Sequence, residues 1–265
     1  MSSKFFAANA RDSVPVAITQ CVTVRNQILV GLPREKYRQL FSNLKLVRLN
    51  ENKVLCEAEN HFRHAYFINS GMASLISIVE DGDSIEVGNV GNEGVVGISI
   101  AQREAKAPYR VIVQAPGEAL TVSADILRRE FDREGELRDR MLRYMHAFST
   151  YMSQLGVCNY FHTLDKRICR LLLTTSDRVQ SDSFHLTHEF LSHVLGTSRT
   201  GVTMAAIKLQ RAGLIGYHRG QLTILDRPGI EAIVCDCYQV AKEVFDHLHC
   251  HNFEAAGAGG TYRRC

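Results

Sequence analysis

The stretch that most constrains the fold is residues 186–210, LTHEFLSHVLGTSRTGVTMAAIKLQ, whose apolar spacing fits two short helices joined by a glycine-bearing turn. Thr187 is placed to cap the first helix, Glu189 suits its first turn, and Phe190, Leu191, Val194 and Leu195 share one face. Gly196 ends that helix. Thr197 or Ser198 caps the second, which buries Val202, Ala206 and Leu209 and leaves Arg199, Thr200, Thr203, Lys208 and Arg211 outside. Hydroxyls and cations on one helix face are the chemistry that meets phosphates and base edges.

Charge favours this reading over a helical hairpin inside an enzyme. Between Phe190 and Leu225 there is no Asp or Glu, although an even spread of the 28 acids would place roughly four there. Arg199, Lys208, Arg211 and Arg219 give the segment its charge, against +3 for the whole chain, so the basic footprint is local. Residues 214–217, a His218-Arg219-Gly220-Gln221 tip and residues 222–225 then read as a hairpin with a basic turn. Together these elements make a winged helix-turn-helix.

LTHEFLSHVLGTSRTGVT, followed by LQRAGLIGYHRGQLTILDR, resembles the DNA-binding region of the CRP/FNR family of bacterial transcription regulators. The likeness extends upstream through AYFINSGMASL and GNEGVVG. It implies a homodimer with a sensory β-roll, a long dimer helix and a C-terminal DNA reader. The expected class is therefore α+β: an antiparallel β-roll over residues 26–135, a dimerisation helix over 136–160 and a winged helix-turn-helix over 161–250. A flexible leader, 1–25, and a flexible tail, 251–265, are expected to flank them.

The residues support the parts separately. From 46 to 122 short apolar runs alternate with turn signals at Asn50-Glu51-Asn52, Glu59-Asn60, Ser70-Gly71, Asp81-Gly82, Gly91-Asn92 and Pro116-Gly117, as in an antiparallel roll. Short helices are expected before it, over 27–30 under an Asn26 cap and from Pro33 onward. After Asp125 the pattern turns helical. Leu137, Met141, Tyr144, Phe148, Tyr151, Leu155 and Cys158 recur at alternating spacings of four and three, the a/d rhythm of a seam that another helix covers. We assign that seam to a second copy of the chain, because helix-turn-helix readers meet two half-sites. A last helix is expected from the Asp226 cap through His249, with Pro228 in its first turn.

The resemblance also bears on ligands. Nucleotide-binding members of the family place a glutamate after the last glycine of GNEGVVG and an Arg-Ser or Arg-Thr pair further on. Here those positions carry Ile98 and Pro108, with Arg110 two residues on, so the effector pocket is expected to have lost its nucleotide chemistry. His61 and His64 lack partners at a ligand spacing, the HLHCHNF tail reads as a solvated helix end, and no metal or cofactor is expected. No nucleophile elbow or phosphate loop is present, which excludes the common enzyme motifs. No apolar run reaches the roughly 18 residues of a membrane span, and no signal-peptide block opens the chain, so a cytoplasmic protein with reduced cysteines is expected. The expected partners are double-stranded DNA, a second copy and, for an activator, RNA polymerase. The alternative reading is a ligand sensor or protein-interaction module whose DNA contact is vestigial.

Overall fold

The computed structural model describes residues 16–17, 23–104, 106–246 and 248. The elements run β1 (Val16–Ala17), α1 (Arg38–Asn43), β2 (Lys45–Leu49), β3 (Val54–Cys56), β4 (His64–Ile78), β5 (Ser84–Val90), β6 (Val95–Val96), a 3-10 turn (Ile98–Ile100) and β7 (Arg110–Ser123). Then follow α2 (Ala124–Asp132), α3 (Glu136–Phe161), α4 (Leu164–Val179), β8 (Ser183–His185), α5 (His188–Leu195), α6 (Arg199–Arg211), β9 (Ile215–His218), β10 (Gln221–Ile224), α7 (Arg227–Ile233) and α8 (Cys237–Asp246). The fold is α+β, with an N-terminal antiparallel sheet, helices and a C-terminal helix-turn-helix. Sheet order is β1-β2-β7-β4-β5, with β3 added to β7 and β6 to β4.

Asp81-Gly82 makes the β4–β5 turn, Gly82 taking φ 86° and donating its N–H to the Val79 carbonyl at 2.9 Å. Two other turn signals do not end their strands. β4 runs through Ser70-Gly71 and β7 through Pro116-Gly117, because the two pairs lie opposite each other and together form an irregularity in the β4–β7 ladder. A Cβ on Gly117 would sit 2.1 Å from the Ser70 carbonyl oxygen, so the backbones approach as only glycine permits. Both strands bend there and continue, as at a β-bulge.

Two helix expectations also change. Residues 27–30 form turns, not a helix: Asn26 Oδ1 accepts from Ile28 N at 3.1 Å as a cap would, while its amide donates to the carbonyls of Ile68 (2.8 Å) and Gly94 (2.7 Å), and the chain turns no further than Gly31. The expected last helix is two: α7 ends at Ile233, Val234 turns extended at ψ 156°, and α8 starts at Cys237. Asp226 does cap α7, accepting from Gly229 N at 2.9 Å. The break swings α8 onto α3, where Phe245 meets the Tyr151 ring at 5.4 Å, and Ile233 is left exposed. The tail beyond, apart from Leu248, lies outside the described residues.

The seam expected to meet a second chain is covered by its own chain. Leu137, Met141, Tyr144, Phe148, Tyr151, Leu155 and Cys158 are all buried, between 0 and 6% exposed. Tyr151 donates its hydroxyl to Asn89 Oδ1 at 2.9 Å, and the Tyr144 hydroxyl fills the space that a Cβ on Gly94 would need. Regular a/d spacing therefore reports a helix lying along a sheet and capped by α8. The opposite face of α3 shows Leu142, Val157, Tyr160 and Phe161 to solvent.

Candidate nucleic-acid interface

The reader is built on α4, whose Ile168, Leu171 and Leu172 are buried beneath α5 and α6. Thr187 accepts from Phe190 N at 3.0 Å and so starts α5. Gly196 closes that helix in the left-handed region at φ 55°. Ser198 accepts from Gly201 N at 3.1 Å and starts α6, which buries Val202, Ala205, Ala206 and Leu209. The wing is β9 and β10 with β8 on the outer side of β10, all antiparallel. Arg219 and Gly220 both take positive φ, 49° and 83°, the two-residue primed turn that suits a twisted hairpin. This geometry puts the Arg219 side chain at the tip.

Not every candidate hydroxyl or cation faces outward with its chemistry unused. Ser198, Arg199, Thr200, Lys208 and Arg219 are exposed, whereas Thr187, Thr197 and Thr203 are half-buried. Thr203 donates to the Arg199 carbonyl at 2.9 Å and lies 3.0 Å from His188 Nδ1, so its hydroxyl is engaged inside the motif. The Lys208 ammonium pairs with Asp165 at the start of α4, which makes it a brace between α6 and α4. Arg199 and Arg219 form no ion pair among the described residues. Burial first and the Arg199 charge second push the His188 pKa down, and the ring stacks 4.4 Å from Tyr217.

The outward face of α6 also carries Met204 and Ile207, 63% and 37% exposed, which were not among the expected contacts. Their signal was available. At 100° per residue both fall on the side opposite Val202 and Leu209, so the helical period alone places them outward. Apolar side chains are the type that meets a thymine methyl.

The chain matches the Crp-like helix-turn-helix domain over residues 166–233 and the cyclic nucleotide-binding domain over residues 46–134. It belongs to the CRP/FNR family. It is a transcription regulator with a helix-turn-helix DNA-binding domain, not an enzyme. A CRP/FNR-family protein from Eubacterium rectale shares 18% identity at a TM-score of 0.63, over 78% of this chain and 97% of that one. A CRP-family regulator from Thermus thermophilus shares 17% at 0.60, over 70% and 95%. FixK2 from Bradyrhizobium japonicum shares 12% at 0.62, over 72% and 98%. These likenesses show the fold. No curated protein sequence matches the chain. No helix among the described residues is long and apolar enough to cross a membrane.

Within this CRP/FNR chain little space is left beside Ile98. The cavity beside Ile98 measures about 10 Å³, walled by Leu75, Val96, Tyr109, Val111 and Phe148. That is room for about one water. Arg110 is buried on β7 and donates from Nη2 to Glu57 Oε1 at 2.8 Å, so its charge is balanced by a carboxylate of the roll. His61 and His64 stand at the mouth of a separate open groove between β3 and β4, lined also by Cys56 and Glu57.

Proposed function

We propose that this regulator works as a homodimer on an inverted-repeat DNA site, with Arg199 reading a base edge and the wing-tip Arg219 holding phosphate. The observation that carries the reading is the exposed first turn of α6, which presents Arg199 and Thr200, together with the exposed Arg219 in the wing turn. In two-fold pairs of such readers the half-site centres lie roughly 34 Å apart. The dimer face that fits is the outer side of α3. Between Arg143 and Asp165 the chain has no charged residue, although Leu142, Val157 and Tyr160 face water in one chain. A helix face meant for solvent carries charge.

Capture of genomic fragments by the purified protein, with sequencing of what is retained, tests the function directly. Retention of one recurrent inverted repeat supports it; retention without sequence preference defeats it. Arg199→Ala is expected to cost about 1–3 kcal/mol on the preferred site and to relax one base pair per half-site. Arg219→Ala should weaken specific and random DNA alike and make the salt dependence shallower. Equal loss on both DNAs for Arg199→Ala would move that residue to the backbone.

We also infer that cyclic nucleotides do not control it. A phosphate charge taken into an apolar site needs a fixed cation and donors. Ile98 accepts nothing, Pro108 donates nothing, and Arg110 is held by Glu57. Calorimetry is expected to show cAMP and cGMP binding weaker than millimolar, with DNA affinity unchanged by either. Micromolar binding lost in Arg110→Ala would restore a nucleotide sensor.

A further inference from the structure

Four side chains from two distant parts of the chain converge at the lower end of α3. Cys158 and His162, one helical turn apart, share a face of its last turn and C-cap. Cys235 comes from the break between α7 and α8, and Cys237, two residues on, opens α8. One donor atom from each lies within 4.8 Å of all the others. Cys158 Sγ and Cys235 Sγ are 3.6 Å apart, and Cys237 Sγ and His162 Nδ1 are 3.4 Å apart. In a tetrahedron with metal–sulfur bonds of about 2.3 Å and metal–nitrogen bonds of about 2.0 Å, such edges are roughly 3.8 and 3.5 Å. A disulfide needs sulfurs at about 2.05 Å. An iron–sulfur cluster, with several irons and sulfides between its thiolates, needs a wider gap than one ion.

We propose that Cys158, His162, Cys235 and Cys237 form a tetrahedral site for one thiophilic divalent metal ion, zinc in the first place, that ties α8 to the end of α3. The surroundings are those of such a site. Arg170, only 3% exposed, donates from Nε to Cys158 Sγ at 3.2 Å, and its Nη1 is buried with no hydrogen-bond partner. Three thiolates around a dication carry one net negative charge, which the guanidinium neutralises where an isolated buried cation would be costly. Gln154 Nε2 donates to Cys237 Sγ at 3.0 Å, an outer hydrogen bond that fixes the sulfur. Binding releases the thiol protons to solvent as the sulfurs become ligands. The three cysteines also make a small separate cluster with Val234, so the metal would close a joint that apolar packing alone leaves thin.

The test is elemental analysis of the full chain, produced with zinc in the medium and purified under reductant without chelator. One zinc per chain is expected, and exchange with cobalt should give the strong visible bands and thiolate charge transfer of a tetrahedral sulfur-rich site. Cys235→Ser with Cys237→Ser should abolish both signals, while Cys56→Ser in the roll and Cys250→Ser in the tail keep them. Gln154→Ala should weaken the metal about 10-fold or more. Because the double serine variant alters a buried joint, the wild type is also titrated with a mercurial, and zinc should leave as three thiols react. A wild-type chain that takes up neither zinc nor cobalt, full occupancy in the double serine variant, or zinc that stays after the thiols are blocked overturns the site. So does a Cys158–Cys235 disulfide in protein prepared without oxygen.

Discussion

Arg178→Met is expected to cost about 3–5 kcal/mol of folding stability, the usual penalty for removing one partner of a buried ion pair, against about 5–15 kcal/mol for a typical domain. Arg178 on α4 meets Glu93 in the β5–β6 loop at 3.0 Å, and both side chains are under a tenth exposed. Its guanidinium also lies 5.3 Å from the centres of the Tyr151 and Phe245 rings. The one side chain thus joins the roll, α3, the reader and α8. Removing it strands the Glu93 carboxylate, which among the described residues otherwise accepts only from Gly91 N at 2.9 Å. The double variant Arg178→Met with Glu93→Gln should recover much of the loss, since a neutral pair has no buried charge to strand. Urea unfolding of the four proteins gives the cycle. A loss below about 1 kcal/mol for the single variant would mean that water reaches the pair and that it behaves as a surface bridge.

Local signals that point one way were legible in the sequence. The reader could be assigned because caps, a C-terminal glycine, apolar spacing and, after Glu189, the absence of acids all agree between Thr187 and Leu225, and each acts over a few residues. The turn signals of the roll were legible as punctuation but not as pairs. Ser70-Gly71 and Pro116-Gly117 are 46 residues apart, and only their meeting makes them one bend instead of two strand ends. A similar limit applies to the four metal-type donors. Cys158 and Cys235 are separated by 77 positions, and Cys158 alone reads as a small apolar side chain on a helix. Lys208 looked available for DNA because its partner, Asp165, lies in another helix.

The heptad stripe of α3 misled for a physical reason, and the reason gives a second large expected effect. A helix covered along its length by anything, whether a second helix or its own sheet, buries every third and fourth residue. Periodicity reports that a face is covered and is silent about what covers it. Tyr151→Ala should therefore act within one chain. It deletes a buried ring that contacts Phe148 and Phe245 and leaves Asn89 Oδ1 without its donor, so a loss of about 3–5 kcal/mol is expected. Val157→Glu, on the exposed side, should leave urea stability per chain within about 1 kcal/mol of the wild type, and instead halve the mass seen by sedimentation at micromolar concentration. Its DNA affinity should fall with the dimer, because each half-site is then met alone. If Tyr151→Ala halves the mass while folding stability holds, the inward stripe opens to meet a partner after all. If the wild type itself sediments as a monomer and still retains an inverted repeat, the dimer assembles on DNA by another surface and the outer face of α3 has a different role.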